Sequence, residues 1–142
     1  MKIILRSASV GSRWLEFSDL TDRGDIVMVA SLMRDGEENA VELERMIQPY
    51  REDMLGFFEE MAEEADGWEG SKRWRSEFAE MNIVATNEGS GIATLRIQIW
   101  PPNEEWSAEE TLDVSTESLT QAAASMKVLL GLKHGRRFRQ LR

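Results

Sequence analysis

Residues 78–100 read FAEMNIVATNEGSGIATLRIQIW, and the order of apolar and polar side chains in them decides the fold class. Ala93, Leu95, Ile97 and Ile99 alternate with Thr94, Arg96 and Gln98, the period-two pattern of a strand with one buried face. Met81, Ile83 and Ala85 repeat it in the first half. The link NEGSG (87–91) carries two glycines, so the halves form an antiparallel hairpin with a flexible or bulged turn. Pro101 and Pro102 end the second strand, because proline cannot donate to a ladder.

Upstream, WLEFSDL (14–20), DIVMVASLM (25–33) and AVELERMI (40–47) read as three further strands. TDRG (21–24) and RDGEE (34–38) punctuate them, and the Asp-Gly pair is the sharper hairpin signal. The middle segment is apolar on both faces and suits a central strand. The period then changes. Met54, Phe58, Met61 and Ala65 recur at helical spacing, which predicts a helix from Pro49 to Asp66, stopped by Gly67. ETLDV (110–114) is a last strand, and Ser118–Leu132 a second helix with Ser118 and Gln121 at capping-box spacing. The order βββαβββα predicts an α+β fold: one antiparallel sheet of about six strands with both helices on one face. No internal repeat is legible. A break into two domains after residue 66 is the alternative to one domain over 1–135 followed by a basic tail, 136–142.

The 142-residue chain has no cysteine, which excludes disulfides, thiol nucleophiles and cysteine-held metals. Its 17 basic and 26 acidic residues give a net charge of −9. Residues 133–142, KHGRRFRQLR, hold five of the basic side chains and no acid, so the first 132 residues stand at net −14. MKIILRSASV is too short in its apolar run for a secretory signal, and IVMVASLM (26–33) is too short to cross a membrane. A cytosolic domain with no membrane partner is the expectation. The one histidine, His134, rules out a histidine-rich metal site and makes a Ser–His–Asp triad a poor fit. No phosphate-loop or dinucleotide fingerprint occurs, and no catalytic residue, cofactor or metal ligand is assigned.

Two features invite a binding role. Glu59, Glu60, Glu63 and Glu64 cover one flank of the first predicted helix as two like-charged pairs four residues apart. They read either as a solvated face or as a surface for a basic partner. Next to it, GWEGSKRWRSEF (67–78) places Trp68 and Trp74 among Lys72, Arg73 and Arg75 without a clear period. The structural reading is a lid closing the core, with both rings turned inward. The functional reading is a stacking platform.

The run from Trp68 resembles an uncharacterised bacterial domain family of unknown function. That family carries a W-x-G-x-x-x-W segment, then a strand, a glycine-rich turn and a second alternating strand; here these fall on Trp68, Gly70, Trp74, Gly89 and Gly91. The resemblance implies a fold module with no established activity. It also implies a histidine where this chain has Ile92.

Two functions from different classes follow. The first is a non-catalytic, immunity-like binding protein whose Glu59, Glu60, Glu63, Glu64, Trp68 and Trp74 contact a basic protein such as a toxin. The second is a small enzyme or ligand-binding domain with an anionic ligand under the tryptophan segment, held by Arg73, Arg75 or Arg96. Nucleic acid is a poor partner for so acidic a body except through the basic tail, and a homodimer is left open.

Overall fold

A computed structural model describes residues 2–22 and 26–132. Its elements run β1 (Lys2–Arg6), β2 (Arg13–Asp22), β3 (Ile26–Arg34), β4 (Glu37–Leu43) and α1 (Tyr50–Glu63). They continue with β5 (Trp68–Arg75), β6 (Met81–Asn87), β7 (Ile92–Ile99), β8 (Ala108–Ser115) and α2 (Thr116–Leu130). The strands form two antiparallel meanders, β1-β2-β3-β4 and β5-β6-β7-β8. The fold is α+β, but among the described residues there are two four-stranded sheets where one sheet of six was expected. Each half has the order ββββα, a likeness of element order that the residue identities do not display.

The two unforeseen strands have physical explanations. β1 has only five residues, and its run IIL hides an alternation in which Ile3 and Leu5 point inward and Ile4 outward. β5 is the tryptophan segment itself. Its register with β6 shifts between Trp68 and Lys72, where Gly70 takes φ 72° and residues 69–71 are all exposed, so the alternation is interrupted midway. After the shift the inward pair is Lys72 and Trp74, and a lysine in a core position conceals the alternation.

Elsewhere the expected elements stand with adjusted ends. β3 is central, between β2 and β4. Asp35 (φ 50°) and Gly36 (φ 90°) form the two-residue turn that the Asp-Gly signal predicts, with Arg34 opposite Glu37. Thr21 and Asp22, expected in a turn at 21–24, belong to β2, and the rest of that turn lies outside the described residues, as do the tail 136–142 and His134. α1 ends earlier than expected, at Glu63. α2 is capped by Ser115, whose side chain accepts from the Ser118 backbone N–H, in place of the expected Ser118–Gln121 box. Gly67 (φ 105°) lies where any Cβ would meet the Gly89 nitrogen at 2.8 Å and the Asn87 carbonyl at 2.9 Å. Glycine there lets the exit from α1 cross the β6–β7 turn.

The helices do not share one sheet face. α1 packs against α2 and β5, while α2 also lies on β1 and β8. One apolar cluster joins residues of both halves, including Phe17, Phe58, Met61, Ile97 and Met126. Phe58 meets Phe17 edge-on at 6.1 Å and Phe57 at 5.3 Å. The sheets touch where the chain leaves β1: the Ala8 N–H donates to the Asp113 carbonyl at 2.7 Å. The Ser7 and Ser9 hydroxyls donate to the Asp113 carboxylate at 2.6 and 2.8 Å. Arg13 and Arg34 add ion pairs to Glu110 at 3.5 and 3.6 Å. Among the described residues no helix is long and apolar enough to cross a membrane.

Candidate functional site

The acidic flank of α1 and the tryptophan segment meet each other. Lys72, 6% exposed on β5, reaches back to α1, where its Nζ lies 2.7 Å from Glu64 and 3.9 Å from Glu60. The same ammonium stands 5.1 Å from the centroid of Trp68, whose Nε1–H donates to the Ala85 carbonyl at 3.3 Å. A lysine can occupy an inward strand position only when carboxylates face it, because an unpaired buried charge is costly. Two of the four glutamates singled out in the sequence therefore belong to the packing of α1 on β5. Glu59 is half-buried and Glu63 exposed.

Trp74 is 4% exposed, and its indole N–H is buried with no acceptor. It belongs to the core, as the lid reading required of it, although it sits on a strand and not in a loop. Trp68 is half-buried beneath the lysine.

Arg73 and Arg75 flank Trp74 in sequence and point the other way, to the outer face of the second sheet. With Tyr50 and Asp53 from the first turns of α1, Trp74, and Asn82 of β6, they line a cleft of about 410 Å³. Strand alternation puts the two guanidinium groups on one side of β5, and pairing with β6 sets Asn82 opposite Arg75. Arg96 lies on the same sheet face two strands away, across Val84 from Arg73, and is taken up by Glu109 at 3.8 Å. The structure thus brings Arg73 and Arg75 together at one cleft and leaves Arg96 outside it.

Among the described residues six of the eleven lysines and arginines have an acid, Arg96 among them. Lys2 pairs with Glu16, Arg13 and Arg34 with Glu110, Arg45 with Glu77, and Lys72 with Glu64. Arg73 and Arg75 make no ion pair among the described residues. Two adjacent arginines on a polar cleft and without carboxylate partners supply ten N–H donors in planar forks, the geometry that matches a carboxylate or phosphate.

A second recess went unmarked in the sequence. Phe78 and Trp100 are 51% and 42% exposed, and with Glu44, Ala79, Pro101 and Pro102 they line a groove of about 580 Å³. Glu80, wholly buried, fixes its walls. The Glu80 carboxylate accepts from the Ser76 hydroxyl at 2.6 Å and the Glu44 backbone N–H at 2.8 Å, and its carbonyl accepts from the Trp100 N–H at 2.8 Å. The legible signal was Trp100 itself, which continues the polar series Thr94, Arg96, Gln98. Among the described residues no three acidic or histidine side chains converge as metal ligands would.

Residues 6–133 match a family of unknown function, DUF6228, and the chain belongs to that family. No curated protein matches it.

Proposed function

We propose that this chain is a non-catalytic binding domain that holds a small anionic ligand in the cleft between α1 and β5. The observation that carries the reading is the pair Arg73 and Arg75, without acids of their own in a chain of net −9. Four of the eight described arginines pair with a carboxylate, and leaving Arg73 and Arg75 together without one keeps their donors open to a ligand. Asp53 lines the same cleft and disfavours a polyanion. Tyr50 and Asn82 add hydrogen-bonding groups. The best occupant has one anionic group and a neighbouring hydroxyl or amine donor. No serine, histidine or lysine lines the cleft, so binding has more support than catalysis.

The reading with a basic protein on the α1 flank has less support. Glu60 and Glu64 face Lys72, and Trp74 is covered. A titration of lactate and of inorganic phosphate, followed by backbone amide signals in low salt, tests the proposal. Signals of β5 and Asn82 should move with saturation, lactate binding more tightly than phosphate. Each single change, Arg73→Gln or Arg75→Gln, should weaken binding about tenfold, equivalent to ~1.4 kcal/mol for a charge-assisted contact. Added salt should weaken it further. Shifts that persist unchanged in the double variant would place the anion elsewhere.

A further inference from the structure

We propose that the aromatic groove at the end of the second sheet docks an extended, arginine- or lysine-bearing segment of a partner protein. This site is separate from the arginine cleft and stands on other observations. Its walls are Phe78, Trp100, Pro101 and Pro102, and among the described residues its only charged lining residue is Glu44. The loop after the prolines carries Glu104 and Glu105, both exposed. The nearest basic residue in sequence, Arg45, is engaged by Glu77 at 3.4 Å. An incoming cation therefore meets the Glu44 carboxylate and the Trp100 ring, while its methylene stem covers proline and phenylalanine.

The chain makes this pairing within itself. The Arg6 guanidinium lies 4.4 Å from the centre of the Trp14 ring, and the Lys72 ammonium 5.1 Å from that of Trp68. Trp100 is exposed and has no cation over its ring among the described residues. The groove is also preformed. Buried Glu80 ties the 76–80 turn, the end of β4 and Trp100 together, so little ordering is needed on binding. Net charge of −9 favours encounter with a basic partner.

The test uses two synthetic peptides of alternating arginine and proline, one with every arginine replaced by citrulline, its neutral isostere. Binding to the full chain is read from the Trp100 indole signal and from peptide anisotropy. The arginine peptide should bind and move the Trp100 signal, and the citrulline peptide should bind at least about tenfold more weakly. Trp100→Ala and Phe78→Ala should each lower affinity about tenfold, and Glu44→Gln about threefold. These side chains are exposed, so circular dichroism should show all three variants folded, with melting temperatures near that of the unaltered protein. Equal binding of the citrulline peptide would overturn the inference in favour of an apolar or proline-rich occupant. Undiminished binding to Trp100→Ala would overturn the site. A dimer in sedimentation that Trp100→Ala dissociates would make a second copy the occupant and overturn it as well.

Discussion

Replacing Lys72 by methionine removes the ammonium that joins β5 to α1 while keeping the length and apolar stem of the side chain. Lys72 is 6% exposed, its Nζ lies 2.7 Å from Glu64 and 3.9 Å from Glu60, and the Trp68 ring flanks it. Removing one partner of a buried ion pair costs about 3–5 kcal/mol, because the opposing charge stays in a poorly solvated place. The Glu64 side chain is 30% exposed and recovers some hydration, which puts the expected loss near the lower figure, about 3 kcal/mol. For a domain of this size that is a fall of roughly 10 °C in melting temperature. The companion variant Lys72→Met with Glu60→Gln and Glu64→Gln should recover more than half of the loss, since it removes the charges that the lysine neutralised. Urea unfolding with an unchanged m-value gives both numbers. A loss below about 1 kcal/mol for Lys72→Met alone would be that of a surface pair, and would refute the assignment of these carboxylates to the packing of α1 on β5.

Trp74→Phe should stay within about 1 kcal/mol of the unaltered protein, because the small cavity is offset by loss of an indole donor that has no acceptor, whereas Trp74→Ala should cost about 3–5 kcal/mol; thermal unfolding separates them. Gly67→Ala should cost at least about 2 kcal/mol, since a Cβ at φ 105° would meet backbone at 2.8 Å; Gly11→Ala, with open space around it, should be near neutral by the same assay. Hydrogen bonds from Ser7, with a smaller share from Ser9, hold the Asp113 carboxyl below the usual carboxylate range against the opposing effect of burial. A depressed folded pKa means that the clasp is at full strength above the unfolded value of about 3.9 and is lost as pH falls through the lower folded value. Asp113→Asn should therefore cost about 1–2 kcal/mol at neutral pH, and the gap to the unaltered protein should narrow in urea titrations below pH ~4.

The elements that were legible are those where local pattern and burial agree. The alternation of β6 and β7, the Asp35-Gly36 turn and the Met54, Phe58, Met61 stripe each need only near neighbours in sequence. The division into two sheets depends on contacts between distant segments, such as Ala8 with Asp113 and Glu44 with Glu80, and no local period encodes these. β5 was hidden because its shift at Gly70 and its inward Lys72 erase the alternation, and the lysine makes sense only once Glu60 and Glu64 stand opposite it. The same pairing altered the reading of the acidic flank: charge spacing reveals that carboxylates share a helix side, but not what that side packs against. Although the strand that sets both on one face was hidden, Arg73 and Arg75 were legible as anion-binding candidates from their place beside Trp74. The cleft was not, since Tyr50 and Asn82 come from other elements.

The side-chain Nε–H signals of the arginines, followed in a hydrogen–nitrogen correlation spectrum during a lactate titration at low salt, test the ligand cleft most directly. Arg96, on the same sheet face but paired with Glu109, serves as the internal reference. Arg73 and Arg75 should move together along one saturating curve while Arg96 stays in place. Equal movement of all three arginines, or none at saturating lactate, would contradict a ligand site built on Arg73 and Arg75.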